Sequence, residues 1–115
     1  MIVQRLRKEL KDDMQVSYRY YSVLSALNEL KLTDRELELM SFISVRGSIS
    51  PAEKREEFCQ SYSTTSATVN NMVSKLKKRN LLIKDRGNIV VNPIISLDFS
   101  KDVNLDIKIL HERKA

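Results

Sequence analysis

Thr64, Thr68, Asn70 and Asn71 fall in one short stretch that runs on into Lys75, Lys77 and Lys78. These residue types, at this spacing, suit noncovalent reading and gripping of a polyanion. An asparagine amide matches the N6/N7 edge of adenine, a threonine or alanine methyl (Thr64, Thr68, Ala67) fits against thymine, and lysines neutralise phosphates. No arginine precedes Arg79 in this stretch, so the bidentate contact that selects guanine has no candidate there. The same residues would equally serve to solvate an exposed helix face.

Covalent chemistry lacks its parts. His111 is the only histidine and Cys59 the only cysteine, which leaves no zinc-ligand cluster and no Cys/His dyad. Two isolated glycines cannot build a Walker loop or a dinucleotide-binding turn. Ser74-x-x-Lys77 matches one fragment of a penicillin-binding signature by chance, without its companion motifs. Glu53, Glu56 and Glu57, beside Lys54 and Arg55, read as a solvated helix face, and Cys59 reads as a small buried hydrophobe. The chain is therefore expected to be no enzyme and to need no cofactor, metal or small-molecule ligand.

The elements that must position the polar stretch follow from periodicity and caps. Tyr18, Tyr21, Val23, Leu24, Leu27 and Leu30 recur at helical steps from about Gln15 to Lys31. Thr33-Asp34-Arg35-Glu36 is a capping box that opens a second helix with Leu37, Met40 and Ile43 on its buried stripe, ended by Gly47. Ser50-Pro51-Ala52-Glu53 reads as a second capping box with proline at the first helical position, opening a polar scaffold helix to about Gln60. Ser63 is expected to cap the next helix after a short turn. Advancing 100° per residue, Val69, Met72, Val73 and Leu76 face inward. Thr64, Ala67, Asn71, Ser74, Lys75 and Lys78 then face outward, with Thr68 and Asn70 on the flanks.

Beyond Asn80, Leu81–Arg86 and Ile89–Pro93 form two β-rich runs about Gly87-Asn88, the expected tight turn of a hairpin. Lys84, Arg86 and Asn88 lie near its tip, where Asp85 opposes an anionic partner. Helix, turn, helix and hairpin in this order make a winged helix-turn-helix, in which the second helix of the pair enters the major groove. Val103, Leu105, Ile107 and Ile109 alternate with Asn104, Asp106 and Lys108, the pattern of a half-buried strand that needs a partner in this chain or a neighbour. The opening MIVQRLRKEL fits a helix or an edge strand.

The expected fold class is thus α+β: a mainly helical winged helix-turn-helix with a β-hairpin wing and an extra C-terminal strand. One domain spans 1–115, divided into an N-terminal extension (1–14), a helical core and wing (15–93) and a C-terminal strand extension (94–115). The segment TTSATVNNMVSKLKKRNLLIKDRGNIVVNP resembles the recognition helix and wing of winged-helix regulators of the multiple-antibiotic-resistance type. Val91-Asn92-Pro93 before an apolar stretch also resembles plasmid replication proteins with a winged-helix domain. The whole chain, including YSVLSALNELKLTDRELELMSF, resembles small uncharacterised proteins of bacteriophages that infect gut Bacteroidetes. Where such regulators carry glycine after the recognition helix this chain has Asn80, which also tolerates the left-handed conformation.

Composition bounds the reading. The chain has 115 residues, enough for one core without staples, and a net charge of +5, which permits attraction to nucleic acid without demanding it. Charges interrupt every apolar segment short of the roughly 20 residues that span a bilayer, and no secretory signal is visible, so a cytoplasmic protein without membrane contact is expected. The leading expectation is a regulator or replication accessory that binds double-stranded DNA through the 64–79 helix, phage- or plasmid-encoded and a homo-oligomer. Its expected DNA contacts are Thr64, Thr68, Asn70, Asn71 and Lys75 in the groove and Lys77, Lys78, Lys84 and Arg86 at phosphates. The alternative is a structural or adaptor protein of a bacteriophage particle, located in the virion, whose helices and terminal strand hold other protein subunits.

Overall fold

A computed structural model describes residues 10–112, and the alternatives of helix and edge strand for 1–10 lie almost wholly outside them. The fold is α+β: four helices, α1 (Asp13–Leu27), α2 (Asp34–Arg46), α3 (Ala52–Ser61) and α4 (Ser66–Lys78), precede an antiparallel hairpin of β1 (Leu82–Asp85) and β2 (Asn88–Val91). A single 3-10 turn, Pro93–Ile95, follows the hairpin.

α1 begins earlier than periodicity predicts because the Asp12 carboxylate accepts from the Gln15 N–H at 2.9 Å and so caps the helix. Its buried line is Ser17, Tyr21 and Ser25, at four-residue steps, and the two small serines let the backbone approach α2. Leu27, expected inside, is 56% exposed, since the helix ends there. α2 carries the broadest apolar face, with Leu37, Leu39, Met40, Phe42 and Ile43 all buried. The Thr33 capping box forms as expected: Thr33 Oγ1 accepts from the Glu36 N–H and Glu36 Oε1 accepts from the Thr33 N–H.

The second expected capping box does not form. Pro51 occupies the cap position of α3, with no side-chain cap, because the Ser50 hydroxyl is engaged elsewhere: Oγ accepts from the Ile89 N–H at 2.7 Å. In the β1–β2 register, where Lys84 faces Ile89, that N–H points away from β1 and needs an outside acceptor. Ser50 supplies it and ties the interhelical loop to the hairpin.

Helix ends are closed by a repeated device. Glu29, Ser63 and Asn80 take positive φ, and the next residue in each case returns an N–H to a carbonyl five residues back: Leu30 to Ser25, Thr64 to Cys59, Leu81 to Leu76. Ser63 thus ends α3 instead of starting α4, whose cap is Thr65, with Oγ1 accepting from the Thr68 N–H at 3.2 Å. The hairpin turn also shifts by one residue. Arg86 (φ 51°) and Gly87 (φ 82°) form it, and Asn88 opens β2, because a two-residue primed turn needs positive φ at both central positions.

Tyr21, Leu39, Met40, Ile43, Ile49, Phe58, Val69, Leu76 and Leu82 form the buried centre. Phe58 meets Phe42 edge to face at 5.4 Å, which makes the otherwise polar α3 part of the core. Tyr21 donates to the Ile95 carbonyl at 2.9 Å and fastens the chain beyond the hairpin to α1; burial pushes its hydroxyl up to about 12, so it stays a neutral donor. The expected C-terminal strand is absent. Residues 101–112 hold no regular secondary structure and are exposed, and no described segment pairs with them as a strand.

Two stability changes follow. Ser50→Ala leaves the Ile89 N–H without its acceptor and lowers unfolding free energy by about 1–3 kcal/mol, with faster amide exchange at Ile89 than in α3. Tyr21→Phe costs about 1 kcal/mol in a denaturant titration. Unchanged exchange at Ile89 in the first variant would refute the tie.

Candidate nucleic-acid interface

α4 forms because its apolar residues recur at helical spacing and its last turn carries Lys75, Lys77 and Lys78, which complement the negative end of the helix dipole. Val69, Val73 and Leu76 are buried, so the rotation of the helix is set by packing and the opposite side is exposed. β1 packs directly against it, with Leu81 and Leu82 buried beyond the Asn80 turn.

Both flanks of α4 are tied to the scaffold. On one, Arg55 of α3 donates to Ser66 Oγ at 3.3 Å and to Asn70 Oδ1. On the other, the Lys75 ammonium lies 3.2 Å from Glu36 Oε2 and 3.3 Å from Oε1. The Glu36 side chain is almost wholly buried. Burial opposes its charge, but the Thr33 N–H and the Lys75 ammonium outweigh that and hold its carboxyl below the ordinary value of 4.5.

The expected contact residues therefore divide. Asn71, Lys77 and Lys78 lie exposed on α4, and among the described residues Lys77 and Lys78 form no ion pair. Between the flanks runs a strip of Ala67, Asn71, Ser74 and Lys78, within roughly 60° of one another on the helix wheel. Asn70 and Lys75 are exposed but already bonded to Arg55 and Glu36. Thr68 stands at the α4 start, its hydroxyl accepting from Thr65 Oγ1 at 3.1 Å. Thr64 lies in the turn, half-buried and ahead of the helix, so the helix is shorter than 64–79. Lys84 and Arg86 are exposed on the hairpin, Arg86 at its turn and Asp85 between them. Arg55 is the residue that sequence reading passed over: three residues before the buried Phe58 would have been too weak a signal to lift it from a run of charged neighbours.

Among the described residues no group of three or more His, Cys, Asp or Glu could hold a metal ion, and no helix is long and apolar enough to cross a membrane. No family model matches the chain, and no curated protein or solved structure matches it significantly.

The lowered carboxyl of Glu36 predicts a pH dependence. A depressed folded-state value contributes stability that is present above the ordinary 4.5 and is lost as pH falls through the folded-state value. Glu36→Gln keeps an acceptor for the Thr33 N–H but removes the charge. Because Lys75 is half exposed and screened, the wild-type advantage is only about 1 kcal/mol near neutral pH, and it vanishes in acid. Urea midpoints of the two proteins measured down to about pH 3 check this; a gap that stays constant would refute the charge linkage.

Proposed function

We propose that this chain is a non-enzymatic winged-helix module that binds double-stranded DNA through α4, acting as a regulator or replication accessory in the cytoplasm. α2, α3 and α4 supply the helical unit, and the β1–β2 hairpin is its wing. The observation that carries the reading is the strip Ala67–Asn71–Ser74–Lys78. It is exposed and free of side-chain partners among the described residues, while Asn70 and Lys75 on either side are held by Arg55 and Glu36. Small residues toward the start of α4 admit the helix to a major groove, and the lysines at its end meet phosphates. Asn71 is the base-reading residue, suited to adenine, and Lys77, Lys78, Lys84 and Arg86 are the phosphate contacts. Asn70 and Lys75 act by holding α4 in position.

A structural or adaptor role draws on the same strip, because Ala67 and Ser74 also allow close helix packing by a protein partner. One titration separates the two. Fluorescence anisotropy of a labelled mixed-sequence duplex with the intact chain should show affinity that falls with salt. Lys78→Ala should reduce the slope of log K against log salt by about 0.9, the equivalent of one phosphate. Asn71→Ala should weaken binding to preferred sites with little change in slope. Folded protein that binds no duplex at low salt would sink the DNA reading and favour the adaptor.

A further inference from the structure

The segment beyond the 3-10 turn carries an arrangement that the body of the protein does not use. Asp98 Oδ1 accepts from the N–H and the hydroxyl of Ser100, at 3.0 and 2.6 Å, and closes a small turn. Past it, Val103, Leu105 and Ile107 are 37%, 47% and 51% exposed and Ile109 is 92% exposed. A strictly alternating apolar row left in water is unfavourable by the usual measure of buried apolar area.

We propose that residues 103–111 form a dimerisation strand, pairing antiparallel with the same segment of a second copy about a two-fold axis at Ile107. In an antiparallel pair, residues directly opposite share a face, and their side chains interact. An axis at Ile107 sets Leu105 opposite Ile109 twice, Ile107 opposite itself, and Asp106 opposite Lys108 twice. Apolar match and charge match are satisfied together over 105–109, while further out Asn104 meets Leu110 and Val103 meets His111. Moving the axis to Asp106 opposes Asp106 to itself, and moving it to Lys108 opposes two lysines and places Asp106 against Leu110. A half-step sets apolar residues against polar ones, and a parallel in-register pair stacks like charges. An axis at Leu105 opposes Val103 to Ile107 and pairs Lys108 with Asp102, but leaves Ile109 opposite Lys101 and Asp106 opposite Asn104, and needs the strand to begin at the edge of the Asp98 turn.

The ribbon gathers eight apolar side chains on one face, four from each copy, and a two-stranded ribbon is marginal in water without cover. Each body offers an apolar groove of about 250 Å³ that could supply such cover, lined by Leu24, Asn28, Leu30, Leu81 and Ile95. A closed two-fold dimer results, since the same patch serves both copies. This inference stands apart from DNA binding, as no residue of the strip on α4 takes part.

Sedimentation equilibrium of the full chain, from roughly micromolar to millimolar concentration, tests it. The expected result is a monomer–dimer equilibrium. Asp106→Lys alone, or Lys108→Asp alone, should weaken the dimer about tenfold, since each creates two like-charge pairs across the axis. An equimolar mixture of those two variants should form a heterodimer as strong as the wild-type dimer, because both cross-pairs are again opposite in charge. Asp102→Lys should have little effect. A chain that stays monomeric throughout, a dimer indifferent to the swaps at Asp106 and Lys108, or one weakened only by Asp102→Lys would each overturn the proposal.

Discussion

One buried carboxylate sets the relation between the helices. Glu36 stands in the first turn of α2, accepts the Thr33 N–H, and meets the ammonium of Lys75 on α4. A carboxylate this buried is tolerable only when its charge is answered, and here the backbone and a cation from a distant helix answer it together. The consequence is geometric as much as energetic. The N-terminus of α2 and the middle of α4 must lie within one ion-pair distance, and the rotation of α4 that buries Val69, Val73 and Leu76 is the rotation that brings Lys75 there. Arg55 acts on the opposite flank through Ser66 and Asn70.

The hairpin depends on the body in the same manner. Four residues per strand are too few to stand alone. Its attachments are polar and specific: Ser50 receives the outward N–H of Ile89, Asn92 donates through its amide to the Asn80 carbonyl and through its backbone to that of Leu81. Tyr21 then receives the chain at Ile95. Each of these bonds satisfies a backbone group, and those to Ile89 and Ile95 lie partly buried at the edge of the core. The hairpin and the chain that follows it are thus held by α1, the loop before α3 and the end of α4 at once.

With two glycines in the chain, three of the four helices close on residues that have side chains, Glu29, Ser63 and Asn80, in a backbone conformation costing on the order of 1 kcal/mol for such residues. The returning N–H from Leu30, Thr64 and Leu81 offsets that cost by satisfying a terminal carbonyl, and two of the three carry an apolar side chain into or against the core. Asn80 was legible as such a terminus, because asparagine tolerates the conformation. Glu29 and Ser63 were not, since nothing in their local chemistry distinguishes a helix end from a helix cap.

The sequence by itself determined the class of structure: four helices and a hairpin in order, the Thr33–Glu36 box, and the inward face of α4, all products of interactions within about ten residues along the chain. The candidate site was legible to the same extent, as a polar helix face ending in lysines. Tertiary structure decided which members of that face remain available. Asn70 and Asn71 are alike in local pattern, and only the approach of α3 binds one and leaves the other free; Lys75 and Lys78 differ only through Glu36, thirty-nine positions away from Lys75 in the chain. Ser50 made the same exchange, giving up a local helix cap for a distant amide. The strand pattern of 103–109 shows the converse limit: alternation specifies a face, but a strand exists only where another backbone supplies the hydrogen bonds.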